Sequence, residues 1–145
     1  IPKFTKDISS DPFYRFCDAF FFPIQVALGF LLFWLGERVL GAGGGWSFVL
    51  WGTFVRLAFV YHCTWFVNSA THMFGYKSHE SGDNSRNCWW VALVTYGEGW
   101  HNNHHAYQYS ARHGLQWWEV DPTWMMIKAL KTLGLATKVK IAEIK

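Results

Sequence analysis

With 145 residues, the chain is long enough for one ordinary soluble domain or for a portion of a larger membrane protein. Aromatic residues make up 20% of it and charged residues only 16%, against about 25% in typical soluble domains, so lipid or a large core must cover the apolar surface. The net charge of +3 is small and the basic residues are scattered, which argues against nucleic-acid binding. Cys17, Cys63 and Cys88, odd in number and without C-x-x-C spacing, argue against a disulfide framework or a thiolate zinc site and read as reduced thiols.

The chain opens at Ile1 without an initiator Met, a basic leader or a cleavage pattern, so the start reads as an internal position. Asp11-Pro12 is a helix-start signal, an N-cap side chain followed by proline at the first helical position, and Phe-Tyr-Arg-Phe after it suits an interfacial helix. Residues 19–36 then run without a charge; as a helix they would extend about 27 Å, enough to cross a bilayer. Pro23 falls in the first turns of this span, where it removes little backbone bonding. Gly41-Ala-Gly-Gly-Gly45 offers a tight return, and residues 46–70, apolar except for Arg56 and a few polar side chains, form a second expected span.

The predicted fold is therefore all-α and integral to a membrane: a transmembrane helical hairpin followed by cytosolic and interfacial helices over residues 71–145. A soluble chain with two buried helices is the alternative, but so short a chain has too little polar mass to surround them. Residues 40–55 carry no Lys or Arg, whereas residues 71–145 carry 8 of the 13, so both ends of the hairpin are expected on the cytosolic or equivalent side. The polar part of the second span lies at its cytosolic end. Tyr61, Trp65, Asn68 and His72 recur at i, i+4, i+7 and i+11, one helix face, and polar groups at such a depth must pair or face a site.

Further on, Tyr96-Gly-Glu-Gly-Trp100 leads into His101-Asn-Asn-His104-His105. Offsets of three and four residues place three imidazoles on neighbouring turns of one helix, which is metal-ligand spacing. His72 joins them as a candidate ligand. The glutamate of a zinc hydrolase, as in His-Glu-x-x-His, has no counterpart here, because both intervening residues are asparagine. Glu98 is placed to orient an imidazole or to lie in a solvated loop. Trp65, Tyr96, Trp100, Trp117 and Trp118 are candidate walls of an apolar slot, with plain packing or interfacial anchoring as the alternative for each. His62, His79 and His113 read as packing, surface or hydrogen-bonding residues. Arg112 suits an acidic headgroup, an electron donor, or a local partner such as Asp121 or the backbone. Asp121-Pro122 repeats the helix-start signal, and Trp124, Ile127, Leu130 and Leu133 recur at helical spacing up to Gly134. Lys128 and Lys131 would face water or headgroups from this second interfacial helix.

Asn68-Ser-Ala-Thr-His72-Met-Phe-Gly-Tyr76 and Gly97-Glu-Gly-Trp-His101-Asn-Asn-His104-His105 resemble the last third of the membrane-bound fatty-acyl desaturase core, including its third histidine box. The likeness extends through Tyr109-Ser-Ala-Arg-His-Gly114 and Trp117-Trp118-Glu-Val-Asp121, in a version similar to the acyl-lipid enzymes of plants and cyanobacteria. It covers residues 1–145 as the C-terminal part of a single desaturase domain. The resemblance implies a non-haem di-iron centre, O2 as co-substrate and electrons from cytochrome b5 or ferredoxin. It further implies a cis double bond placed in an acyl-CoA or acyl-lipid chain, most commonly between carbons 9 and 10.

By motif, His72, His101, His104 and His105 would be iron ligands, and Asn68 would reach an iron through water. The other ligands belong to two earlier histidine boxes that have no counterpart in this sequence, so the chain alone is expected to be inactive. Removing hydrogen from an unactivated C–H bond demands an oxidising metal, and imidazole suits iron. A membrane hydroxylase or ketolase with the same histidine spacing, and a non-catalytic membrane fragment, are the alternatives. The expected location is the endoplasmic reticulum or a plastid or cyanobacterial membrane.

Overall fold

The computed structural model describes residues 9–143. Every named element in it is helical, and among the described residues no strand forms. The chain divides into two compact units, residues 1–59 and 60–145.

In the first unit, α1 (Pro12–Ala19) begins as the sequence predicts: the Asp11 carboxylate accepts from the Phe13 N–H at 2.8 Å and Pro12 occupies the first turn. Phe20 separates it from α2 (Phe21–Leu40), 20 residues with a mean hydropathy of 1.4 in its most apolar window. By length and composition α2 is able to cross a membrane, and only 6% of that window is buried by the protein itself. It starts two residues after the expected span does and runs four further, through Glu37 and Arg38, because Gly41 at φ 80° is the first residue to leave helical geometry.

Glu37 explains the tight return. Its Oε1 accepts from the N–H groups of both Gly43 and Gly45 at 3.0 Å, so the turn's backbone donors are satisfied by the helix that precedes it. The chain then folds back as α3 (Gly44–Val49), with Gly36 against Gly44 and Gly45 and the Phe33 ring edge-on to Trp46 at 5.2 Å. A Cβ on Gly36 would meet the Gly44 carbonyl, so hydrogen is the only side chain this contact admits.

The second expected span, residues 46–70, does not form one regular α-helix. It comprises most of α3, a π-helical segment (Leu50–Val55) and α4 (Arg56–Ala70), and α2 alone among the described helices passes the length and hydropathy test for a span.

In the second unit, α4 ends at Ala70 and a turn carries Thr71 to Phe74. Isolated bridges join Tyr76 to Asn87 and Asn87 to Trp100, which brings the segment after α4 beside the segment before the histidine cluster. Short helices α5 (Trp89–Val94) and α6 (His101–Ala106) follow, then α7 (Pro122–Thr132), started by Asp121, whose side chain accepts from the Trp124 N–H at 2.9 Å. Val67, Ala70, Cys88 and Val91 form a small apolar core flanked by Phe66 and Trp90. Beside it lies an unusual amount of buried polar structure: Thr71, Ser85, Asn87, Asn102 and Asn103 are all essentially inaccessible. Buried amides must find partners, and the network they form determines where the histidines point.

Candidate metal centre

His72 extends from the turn after α4, and His101, His104 and His105 from the single α-helical segment α6. His72 lies 5.2 Å from His101 and 5.7 Å from His105, ring centre to ring centre, and His101 lies 4.3 Å from His105. One nitrogen from each of the three falls within 4.8 Å of the others, close enough to share an ion. His104 stands to one side, 5.9 Å from His101 and 5.6 Å from His105; its nearest ring is His113, at 4.6 Å.

Two nitrogens of this group, His101 Nε2 and His104 Nδ1, are buried and have no hydrogen-bond partner. Unpaired buried polar atoms are costly, and a cation would satisfy them. Burial, followed by the neighbouring imidazoles of His105, His72 and His104, pulls the His101 pKa down to about 4. His104 is lowered from its ordinary value by burial, then by His113 and His105. Neutral rings with available lone pairs are the protonation state that metal ligation needs. An all-imidazole donor set suits iron, zinc or copper rather than magnesium or calcium, so these residues fit a transition-metal ion, iron among them.

The two asparagines between the ligands hold α6 in place. Asn102 Oδ1 accepts from the N–H groups of Ser78 and His79 at 2.8 Å each, and its Nδ2 donates to the His79 carbonyl at 2.9 Å and to Ser81 Oγ at 3.2 Å. Asn103 takes the opposite side. Its Oδ1 accepts from Asn87 at 2.7 Å, while its Nδ2 donates to the His113 carbonyl and to Glu119 Oε2, both at 2.8 Å. Glu119 also accepts from the N–H groups of Leu115 and Gln116 and from the Tyr76 hydroxyl, and Asp121 accepts from the N–H groups of His113 and Gly114.

Several partners of the cluster were not singled out by sequence reasoning. Asp83, in the polar loop of residues 77–86, pairs with His105 Nδ1. Hydrogen bonds from Ser85 and Ser81 hold the Asp83 carboxyl well below the usual carboxylate range, with His105 contributing less. His113, read as an ordinary polar residue, lies against His104, and Glu98 Oε2 is 3.6 Å from His113 Nδ1. Glu98, half exposed, thus lies nearest the imidazole of His113 rather than one of the spaced cluster.

The remaining candidates distribute unevenly. Asn68 donates its amide to the Thr64 carbonyl at 3.0 Å. Trp65 stacks along α4 on Tyr61 and tilts against His62. Trp100 is buried, with Nε1 donating to the Val120 carbonyl at 2.9 Å. Together with Trp89, Leu93 and Trp118 it lines an apolar cavity of about 170 Å³. Tyr96 and Trp117 are exposed, the latter at 89%, which fits interfacial anchoring better than a slot wall. Arg112 donates to the carbonyls of Gly114 and Leu115, the local backbone alternative of its sequence reading. His79 packs its ring edge-on to Tyr107.

Comparison with known proteins points in one direction. The family model described as fatty acid desaturase matches residues 3–136. An sn-1 stearoyl-lipid 9-desaturase of Synechocystis sp. is 69% identical over 141 residues, which is 97% of this chain and 42% of that protein. An sn-1 stearoyl-lipid 9-desaturase of Anabaena variabilis is 61% identical over 145 residues, the whole of this chain and 50% of that protein. A chloroplastic palmitoyl-monogalactosyldiacylglycerol delta-7 desaturase of Arabidopsis thaliana is 47% identical over 97% of this chain and 36% of its own length. The chain thus spans half or less of the length of these curated relatives.

Proposed function

The chain belongs to the fatty acid desaturase family, and on that premise we propose that it forms the C-terminal part of a membrane-bound acyl-lipid desaturase. The enzyme introduces a cis double bond between carbons 9 and 10 of a stearoyl chain esterified in a glycerolipid. The observation that carries this reading is the convergence of the His72, His101 and His105 nitrogens within 4.8 Å. His104, one helical turn from His101, has a buried unpaired nitrogen that would be available to a second ion. Bound iron supplies the power to activate O2 and oxidise an unactivated C–H bond.

The protein's own residues prepare that chemistry. Burial keeps His101 neutral and ready to ligate at physiological pH. Asn102 and Asn103 clamp α6 from opposite sides and thereby fix the spacing of the rings. Asn68, four residues before His72, would help hold an iron through a water. The remaining ligands come from histidine boxes outside this sequence.

The apolar, largely uncovered surface of α2 supports membrane insertion. We place the hairpin of residues 19–36 and 46–70 across the bilayer, with the histidines on the cytosolic or equivalent side. The stearoyl-lipid and plastid names of the relatives favour a glycerolipid substrate over an acyl-CoA. They also favour a cyanobacterial or plastid membrane, and for that location we take ferredoxin rather than cytochrome b5 as the electron donor.

The decisive test is lipid analysis after expressing the full-length protein in a desaturase-deficient host, with metal analysis of the purified protein. A new 9,10-monounsaturated lipid and about two irons per polypeptide support the proposal. Hydroxylated products, zinc, or no metal overturn it.

A further inference from the structure

We propose that Asp83 orients His105 for metal binding; this positioning role deepens the ligand reading above and rests on it. Both oxygens of the carboxylate are committed. Oδ1 accepts from the Ser85 N–H at 2.9 Å, from Ser85 Oγ at 2.5 Å and from Ser81 Oγ at 2.7 Å, while Oδ2 meets His105 Nδ1. With both oxygens engaged, Asp83 serves as a partner of the ligand rather than as a ligand itself.

An ionised carboxylate only accepts, so His105 Nδ1 must carry the proton. Its Nε2 lone pair is then the ring's one metal-binding atom, and a flipped ring would forfeit the bond to Asp83. A carboxylate on the far nitrogen also makes the imidazole a stronger donor.

The loop that carries Asp83 is tied to the helix that carries His105. Asn102 donates to Ser81 Oγ, Ser81 donates to Asp83, and Asp83 meets His105, three residues beyond Asn102 on the same helix. Asn102 also accepts from Ser78 and His79, so the loop is anchored at two points upstream of Asp83. This closed circuit locks the orientation of one ring to the helix backbone. Outer partners of ligating histidines typically contribute roughly 10- to 100-fold to metal affinity or activity.

The test uses the purified full-length protein in detergent, stripped of metal and titrated with Co²⁺, whose visible absorption reports its ligand field. Asp83→Asn should bind Co²⁺ roughly 10-fold or more weakly and with a shifted spectrum, and Asp83→Glu should recover part of both. Asp83→Asn binding with wild-type affinity and spectrum overturns the proposal. Should that variant fail to fold, Ser85→Ala takes its place, since it loosens the carboxylate without removing it. A few-fold weaker affinity then supports the role, and an unchanged affinity and spectrum overturn it. Failure of the ligand reading looks different: wild-type protein that takes up no Co²⁺, or a His101→Ala variant that binds it normally. Wild-type binding abolished by His101→Ala, together with normal binding in Asp83→Asn, removes Asp83 alone.

Discussion

The ring of His113 lies 4.6 Å from that of His104, closer than any other ring of the cluster comes to His104. His113 is itself held at both ends of its peptide: its N–H donates to Asp121 and its carbonyl accepts from Asn103. Truncating it to Ala would leave one side of His104 unsupported. We expect a loss of roughly 10-fold in desaturation with metal retained at His72, His101 and His105. Glu98→Gln should cost no more than about 3-fold, because that carboxylate is half exposed and sits at ion-pair rather than hydrogen-bond distance. Wild-type turnover in His113→Ala would show that His104 needs no support from that side.

Single replacement of His101, His104 or His105 by Ala in the full-length protein should abolish double-bond formation and lower iron content while membrane insertion persists. His62→Ala and His79→Ala should keep substantial activity. Lipid analysis and metal quantification on the same preparations check both statements, and full activity in any of the first three would remove that ligand.

Asn103 makes contacts that no smaller side chain can replace. Asn103→Ala leaves the His113 carbonyl without its side-chain donor, worth about 1–3 kcal/mol when unsatisfied, and takes one bond each from Asn87 Nδ2, which keeps Ser78, and from Glu119, which keeps the Leu115 and Gln116 N–H groups. The expected result is a large fall in thermal stability before any direct effect on metal binding. Stability within about 0.5 kcal/mol of wild type would mean that water enters the network freely.

Tyr76 gives a pH prediction. Burial, and then its bond to Glu119, push the phenol from its ordinary 10.0 up to about 12. A group whose folded pKa is raised contributes stability that is complete below the unfolded value and lost as pH climbs toward the folded one. Stability should therefore decline between pH 10 and about 12, and Tyr76→Phe should flatten that limb. An unchanged alkaline profile in the variant would assign the decline to other groups.

Two glycines of α2 provide a matched pair. A Cβ on Gly36 would strike the Gly44 backbone, whereas one on Gly29 would meet nothing within 4 Å. Gly36→Ala should destabilise by about 1–3 kcal/mol through overpacking; Gly29→Ala should be neutral or slightly stabilising. Thermal unfolding in detergent distinguishes them, and equal behaviour would show that α2 and α3 do not pack closely.

What could be read from the sequence was local. Asp11-Pro12 and Asp121-Pro122 mark real helix starts because an N-cap acts on the N–H groups two or three residues on. The spacing of His101, His104 and His105 places them on one short helix for the same reason. The sequence pattern put His72 beside the cluster, and its ring does meet those of His101 and His105; the approach of His113 to His104 was not legible, since it comes from the far side of Asn103. The role of Asp83 was equally hidden, because it depends on contacts reaching 22 residues along the chain. The π-helical segment within residues 46–70 has no composition signal; it adds one residue per turn to a run that otherwise reads as ordinary apolar helix.

Asn102 and Asn103 are more buried than the histidines they separate. The motif is therefore two-sided, with its ligands on one face and its foundations on the other. Converting the site to another chemistry is correspondingly difficult: a glutamate placed at Asn102 or Asn103 to serve as a hydrolytic base would remove an amide donor that His79 or Glu119 depends on. The scaffold would fail before the new reaction began. The spacing of the histidines on this helix is thus built into its folding, and change is better accommodated at the partners around it than between the rings.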